Sequence, residues 1–216
     1  MRLSPRRTTA YTLRLPESAG ADQVTELLQR YDPYARWRRG TVKLAGTNLR
    51  LRGGDLVVPP TEDVLARALR HHLGGSWLVP PPAPGAQQEP LQDLVRVFVP
   101  RKLLPAQLAT LLQPLLPGVT IQEDPKLGLF WFNDEESQLT ISASDVQDRT
   151  ALPLAVSALR DAESLYEVGI DDVHGPTPLS AEEAWLIVEL LEREFGGIPV
   201  DRFGFHLADP SDLLPR

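Results

Sequence analysis

The chain has 216 residues, 42% of them hydrophobic and 24% charged, and a formal net charge of −7, which is the composition of a folded protein and not of a disordered one. It contains no cysteine, which excludes disulfides, thiolate metal sites and cysteine nucleophiles. No apolar stretch reaches the length of about 20 residues that a membrane-spanning helix needs. We therefore expect a cytoplasmic protein that has no membrane partner.

The N-terminal part is predicted to be a small unit of strands and two helices. Apolar periodicity predicts, in chain order, a strand over 9–15, a helix over 21–31, and three short strands over 35–44, 48–52 and 56–58. Gly40 is a candidate break in the strand over 35–44. A further helix is expected after Pro59-Pro60, with Thr61 as its N-cap, Val64 on its buried face and Gly74 at its end.

Proline and charge divide the chain near residue 80. Residues 1–79 contain 13 Lys and Arg against 7 Asp and Glu, a net charge of +6, whereas residues 80–216 contain 9 against 22, a net charge of −13. The segment 80–90 is rich in proline and has no apolar periodicity, which is typical of a semi-rigid polyproline II spacer. We predict a basic unit at 1–79, a Pro-rich linker at 80–90 and an acidic unit at 91–216. A long surface loop inside one domain is the alternative.

The acidic unit is predicted to begin with a similar series of elements. The expected elements are a strand over 94–99, a helix from Pro105, strands over 119–123, 127–132 and 138–142, and a helix over 148–161. A C-terminal β-α-β extension follows, with a strand over 163–170 and a final strand over 202–207. Its helix opens on Ser180 and Glu183, whose spacing is that of a capping box.

The two units share a sequence pattern. A shift of 84 residues lays Pro16 on Pro100 and matches the apolar positions of the helix over 21–31 with those of the helix that begins at Pro105. Duplication of one module explains this match. The alternative is that any two amphipathic helices that follow a strand align this well. We assign the chain to the α+β class, as two β-α-β-β-β-α-like units with antiparallel or mixed sheets plus a C-terminal β-α-β extension.

Cations are concentrated in the predicted strands of the basic unit. If residues alternate between the two faces of each strand, many of these cations share one sheet face. The candidate anion-binding or nucleic-acid-binding residues are Arg14, Arg36, Arg38, Lys43, Arg50 and Arg52. Guanidinium groups spread over a sheet are suited to phosphates, although Trp37 points away from its neighbours Arg36 and Arg38 and is poorly placed for base stacking. The alternative is a solvated face, or one that docks the acidic unit.

An aromatic and acidic hairpin is the candidate partner site of the second unit. Phe130 and Phe132 share one face of an apolar strand whose other face is also apolar, so packing on one side cannot bury both. The acidic turn Asp134-Glu135-Glu136 follows. Aromatic area beside carboxylates suits a basic protein partner. The alternative is a central strand that is buried on both sides.

Catalytic chemistry is not indicated by the sequence. The adjacent His71 and His72 diverge by about 100° on a helix, and no spacing brings His174 and His206 together. The nucleotide-binding, serine-hydrolase and zinc-protease motifs are absent from the sequence. We therefore expect no catalytic residue, no cofactor and no metal.

The expected function is that of a non-enzymatic bacterial binding protein. It acts through protein contacts, as an inhibitor, an immunity-type protein or a subunit of an assembly, and its acidic unit binds a partner that is itself basic. The alternative is a nucleic-acid-binding protein that uses the basic sheet face of the N-terminal unit.

Overall fold

The computed structural model divides into two compact units, residues 1–88 and 89–215. It describes residues 9–81, 94–101, 103, 105–116, 120–124, 129–133, 138–146, 152–157, 159, 162–171 and 178–213. Most of the predicted Pro-rich linker lies outside these residues. Within them, no helix combines the length and the hydropathy that crossing a membrane requires.

The first unit is an antiparallel sheet of six strands with two helices. Its elements are β1 (Tyr11–Arg14), α1 (Ala21–Tyr31), β2 (Arg36–Arg38), β3 (Thr41–Leu44), β4 (Thr47–Arg52), β5 (Asp55–Val58), α2 (Asp63–Leu73) and β6 (Ser76–Val79). The strand order is β2-β3-β4-β5-β1-β6, and each neighbouring pair is antiparallel.

Alternation along the strands decides which face of this sheet carries the helices. Leu13, Leu49 and Leu56 point to one face and are fully buried, together with Val24 of α1 and Leu69 of α2. The intervening strand residues are exposed or half-buried. The helices therefore cover the face of Leu13, which we call the inner face, and leave the outer face uncovered within this unit.

A buried carboxylate connects α1 to the strands. Asp32 is 1% exposed, and its backbone N–H donates to the Leu28 carbonyl at 2.8 Å where α1 ends. Its two carboxylate oxygens accept from the backbone N–H groups of Tyr34, at 2.9 Å, and Ala45, at 2.7 Å. Asp32 therefore holds the start of β2 and the β3–β4 turn against the end of the helix.

The second unit is also an antiparallel sheet of six strands. Its elements are β7 (Leu94–Val99), α3 (Pro105–Leu112), β8 (Thr120–Asp124), β9 (Leu129–Asn133), β10 (Gln138–Asp145), β11 (Ser164–Asp171), α4 (Pro178–Phe195) and β12 (Ile198–Val200), with 3₁₀ helices at Leu154–Val156 and Pro210–Leu213. The strand order is β8-β9-β10-β11-β7-β12. A core of valine, leucine and isoleucine side chains lies between this sheet and α3 and α4.

The two units have the same topology. Each strand of the second sheet occupies the place of the strand six earlier in the first, and the helices follow the first and fifth strands of each unit. The helices α1 and α3 begin at Ala21 and Pro105, 84 residues apart, which is the shift that aligns the sequences. The shared topology is consistent with duplication, which stays a prediction.

Matching glycine pairs precede the last strand of each unit. The pair at 74–75 follows α2 and the pair at 196–197 follows α4. A Cβ on Gly75 would collide with the Arg14 carbonyl, and a Cβ on Gly197 would lie 2.8 Å from a Val97 methyl group. The second glycine of each pair therefore allows the chain to pass closely over the first strand of its own unit.

The second unit has two features that the first lacks. The connection from β10 to β11 contains the 3₁₀ helix, whose Ala155 and Val156 pack with Phe98 and Val200 in a small second core. Phe98 alternates with the inward-facing Val97, so this core lies on the other face of the sheet. The C-terminal segment continues past β12, where the Leu207 N–H donates to the Pro199 carbonyl at 3.1 Å. In the first unit, the corresponding β4–β5 connection is a two-residue turn, and the outer face stays exposed.

The α+β class and the antiparallel sheets predicted from the sequence are confirmed. Of the predicted C-terminal β-α-β extension, the first strand and the helix are present as β11 and α4, and the final strand is β12, which lies before the predicted 202–207. The strands β11 and β12 complete the second sheet by pairing with β10 and β7. The strand β6 was not predicted.

Several local predictions are wrong. The helix expected over 148–161 is contradicted where the structure describes that segment, because Pro153 precedes only a short 3₁₀ turn. The strand expected over 202–207 is a turn, in which the Asp201 carboxylate accepts from the N–H groups of Phe203 and Phe205, both at 2.8 Å.

The predicted starts of two helices, α2 and α4, are displaced. The helix α2 begins at Asp63 with Glu62 as its N-cap, so Thr61 is not the cap, and Val64 is 52% exposed instead of buried. The helix α4 begins at Pro178, which places Ser180 inside its first turn. Proline suits this first position because its missing N–H needs no partner there.

Candidate functional site

Backbone pairing brings the six predicted cations together on the outer face of the first sheet. The decisive cross-strand pairs are Arg36 with Lys43, Arg38 with Thr41, Thr41 with Arg50, Arg52 with Asp55, and Asp55 with Arg14. Residues directly opposite each other in an antiparallel pair share a face. The neighbouring pairs Val42 with Leu49 and Leu51 with Leu56 lie on the inner face.

Tight turns fix this register. The β2–β3 turn consists of Arg39 and Gly40, with φ values of 49° and 75°, and the β4–β5 turn consists of Gly53 and Gly54, with φ values of 55° and 85°. Two successive positive φ angles are the signature of the type I′ turn, whose twist matches that of a hairpin. A slip of one residue would move every cation of a strand to the inner face. The turns therefore keep the cations in place.

One cation on the outer face is neutralised by a neighbour. Asp55 is the only acidic residue in β1–β6. Both of its carboxylate oxygens accept from the guanidinium of Arg14, one from Nε and the other from Nη2, the latter at 3.1 Å. The hydrogen bond from Arg14 holds the pKa of Asp55 below its usual value. Asp55 is therefore ionised and already paired with Arg14.

The remaining five cations have no acidic partner among the residues that the structure describes. Arg36, Arg38, Lys43, Arg50 and Arg52 are all exposed, and no described carboxylate lies within 4.0 Å of their charged nitrogens. Arg36 lies directly opposite Lys43. Like charges in that position destabilise a sheet. We call these five residues the cationic face.

Aromatic residues lie beside the cationic face and not on it. Trp37 pairs with Val42, which puts it on the inner side of the edge strand, where it is 38% exposed. Tyr34 precedes β2 and is 72% exposed. The strands β1–β6 place no aromatic residue on the outer face. The face can therefore contact phosphates but offers no ring on which a base would stack.

The predicted partner site of the second unit is only partly described. Backbone pairing sets Phe130 opposite Ile141 and Phe132 opposite Leu139, and both partners belong to the core. This register favours the alternative interpretation, in which the strand packs into the protein. The acidic turn of Asp134, Glu135 and Glu136 lies outside the described residues. A role of these five residues in partner binding stays a prediction.

The histidines do not form a site among the described residues. The rings of His71 and His72 meet edge to face, 5.1 Å apart, and His206 forms a backbone bridge with Val200. His174 lies outside the described part of the chain. Within that part, no group of three or more His, Asp and Glu residues is arranged to hold a metal ion.

Sequence reasoning missed a pocket in the second unit. It has a volume of about 610 Å³ and lies between α3 and the end of α4. It is lined by Arg101, Leu103, Ala106, Gln107, Thr110, Leu111 and Phe195. The sequence of α3 does indicate a binding surface, because this helix contains no charged residue although one of its sides is exposed.

Neither a protein family model, nor a curated protein, nor a solved structure matches this chain.

Proposed function

We propose that the chain is a non-enzymatic binding protein whose first unit binds the phosphate backbone of nucleic acids on its cationic face. One observation carries the proposal. Five exposed cations share a sheet face on which the only acidic residue is already engaged by Arg14. A concentrated positive potential of this kind attracts polyanions.

The layout of the cations favours a polymer over a single small anion. Residues two apart on a strand lie about 6.7 Å from each other, and neighbouring strands lie about 4.8 Å apart. Arg36 and Arg38 therefore form one short row, and Arg50 and Arg52 form a second row two strands away. Such a flat array does not enclose a small ion, but it contacts several phosphates of one backbone simultaneously.

The absence of aromatic residues from the outer face of β1–β6 bears on the mode of binding. Without base stacking, the free energy of binding comes from phosphate contacts and from the release of counterions. The preference for particular nucleotide sequences is therefore weak. If all five cations neutralise phosphates of a duplex, the logarithm of the association constant falls with the logarithm of salt concentration with a slope of about −4.5.

Binding also relieves an unfavourable contact. The like charges of Arg36 and Lys43 face each other across β2 and β3. A phosphate between them replaces repulsion with two attractions. We therefore expect the ligand to stabilise the first unit as well as to bind it.

The test compares two double variants that remove equal charge. Arg38→Gln/Arg50→Gln alters the cationic face, and Arg67→Gln/Arg70→Gln alters the helix α2. Fluorescence anisotropy with a labelled DNA duplex of about 20 base pairs, over a salt series, gives affinity and slope. The Arg38→Gln/Arg50→Gln variant should bind the duplex at least about tenfold more weakly than wild type, and its salt slope should be smaller in magnitude by about 2. The Arg67→Gln/Arg70→Gln variant should change the affinity less than about threefold.

Two outcomes contradict the proposal. Wild-type protein that binds neither duplex nor single-stranded nucleic acid at low salt has no nucleic-acid function of this kind. Equal losses in the two double variants mean that binding follows net charge and not the cationic face. Thermal unfolding of each variant shows whether its fold is retained.

Protein binding through the second unit, the first expectation from the sequence, remains a separate proposal. Its acidic turn lies outside the described residues, and Phe130 and Phe132 pair with core positions. Co-purification of a basic protein with the full chain, lost in an Asp134→Asn/Glu135→Gln/Glu136→Gln variant, would support it.

A further inference from the structure

The lining of the pocket beside α3 includes a buried apolar residue, Leu103. Only 7% of Leu103 is exposed. The hydroxyl of the buried Tyr166 accepts from the Leu103 N–H at 2.9 Å and also contacts the Leu103 carbonyl at 3.4 Å. Both backbone groups of Leu103 are thereby satisfied, and the backbone at this point of the pocket lining is anchored to Tyr166.

A guanidinium lies at the rim of the same pocket. Arg101 is exposed, and its guanidinium carbon is 4.9 Å from the ring centre of Phe195, which also lines the pocket. Among the described residues, no carboxylate lies within salt-bridge distance of Arg101. By contrast, Arg96 pairs with Glu167 and Arg193 with Glu194. Stacking on the ring orients Arg101 and leaves its N–H donors available.

The described residues that α3 contributes to the pocket lining carry no charge. Ala106, Thr110 and Leu111 come from α3, and the Thr110 hydroxyl already donates to the Ala106 carbonyl at 2.8 Å. In the first unit, Asp22 and Glu26 hold the positions that correspond to Ala106 and Thr110 by the shift of 84 residues. The uncharged wall is therefore particular to the second unit.

We propose that this pocket binds a small amphiphile with an apolar body and one carboxylate. Leu103, Ala106 and Leu111 contact the apolar body, and Arg101 donates paired hydrogen bonds to the carboxylate. A volume of about 610 Å³ is within the range of small-molecule sites. The charge of Arg101 is complementary to this ligand class and repels amphiphilic cations. The inference does not depend on the cationic face of the first unit.

The experiment titrates the full chain with decanoate and with decanol, its uncharged analogue, and follows backbone amide shifts by NMR. Decanoate should shift the amide signals of Arg101, Leu103 and α3 residues that line the pocket, and of Phe195, with a dissociation constant on the order of 1 mM. Decanol should bind the same residues more weakly. In Arg101→Met, which keeps an apolar side chain over the ring, decanoate affinity should fall about fivefold to tenfold, and decanol affinity should stay unchanged.

Two control variants distinguish loss of the binding site from loss of the folded structure. Arg193→Met removes a guanidinium of the same unit that does not line the pocket, and it should leave both affinities unchanged. Thr110→Trp fills the pocket from an exposed helix position and should abolish binding of both compounds with little change in melting temperature. Decanoate shifts that are absent up to 5 mM, or that are as strong in Arg101→Met as in the wild type, would overturn the proposal.

Discussion

Arg14 and Asp55 face each other across β1 and β5, and the guanidinium donates to both carboxylate oxygens. This pair is the one place on the outer face of the first sheet where a cation is neutralised by a strand residue. It divides that face into a balanced end at β1 and β5 and a cationic end at β2, β3 and β4. The charge of the balanced end is therefore adjustable by a single substitution that leaves every other cation untouched.

Asp55→Asn should strengthen nucleic-acid binding. The substitution removes the only acid of β1–β6 and releases Arg14, so the outer face gains one positive charge. Duplex affinity should rise about threefold, and the salt slope should steepen by up to about 1. Fluorescence anisotropy over a salt series measures both. Asp63→Asn, which breaks the pair of Asp63 with Arg67 on α2, is the matched control and should change affinity much less. A variant of Asp55 that binds more weakly than wild type contradicts the prediction.

The same pair predicts a pH dependence of stability. The hydrogen bond from Arg14 lowers the pKa of Asp55 below its ordinary value of 3.8. Because the folded pKa is below the unfolded one, the contribution of the pair is complete above about pH 4 and is lost as the pH falls through the lowered pKa. Melting temperatures of wild type and Asp55→Asn should differ at pH 7 and converge as the pH approaches 2. A difference that is constant across this range would argue against an ionised Asp55 as its source.

The cationic face was partly within reach of sequence reasoning, because alternation places the cations of one strand on a common side. Arg36 and Arg38, and likewise Arg50 and Arg52, are two residues apart, and strand geometry puts such residues on one side. What could not be predicted was the pairing order, since only the contact between β5 and β1 brings Arg14 into the same face.

The wrong and missing secondary-structure predictions concern features that residue alternation and helix or strand propensity do not indicate. The strand β6 has only four residues and is followed directly by proline, so it resembled the start of the linker. Pro153 interrupted what looked like a helix, and the turn at Asp201 depends on a carboxylate that accepts from Phe203 and Phe205. Such side-chain-to-backbone contacts are settled by tertiary structure. The pocket beside Arg101 likewise requires α4 to lie next to α3, which no local pattern specifies.

Asp32→Asn should destabilise the first unit through the strands that carry the cations. An amide retains one acceptor oxygen, so one of the N–H groups of Tyr34 and Ala45 loses its buried partner. The expected loss in the free energy of unfolding is about 2 kcal/mol. Urea denaturation followed by circular dichroism measures it. Asp22→Asn, on the exposed side of α1, is the control and should cost less than about 0.5 kcal/mol. Equal costs for the two variants would mean that Asp32 does not anchor the strands.

Gly197→Ala should destabilise the second unit because the chain passes too close to β7 for a side chain. A Cβ at this position would lie 2.8 Å from a Val97 methyl group and 2.9 Å from the Leu191 carbonyl oxygen. Relief of these contacts requires β12 to move away from the sheet, at a cost of about 2 kcal/mol in the free energy of unfolding. Gly20→Ala is the matched control, because a Cβ at Gly20 meets nothing within 4 Å and its φ of −81° suits any residue. Urea denaturation should therefore separate the two variants clearly. A Gly197→Ala protein as stable as Gly20→Ala would show that the second sheet accommodates a side chain here and that the glycine pair is dispensable.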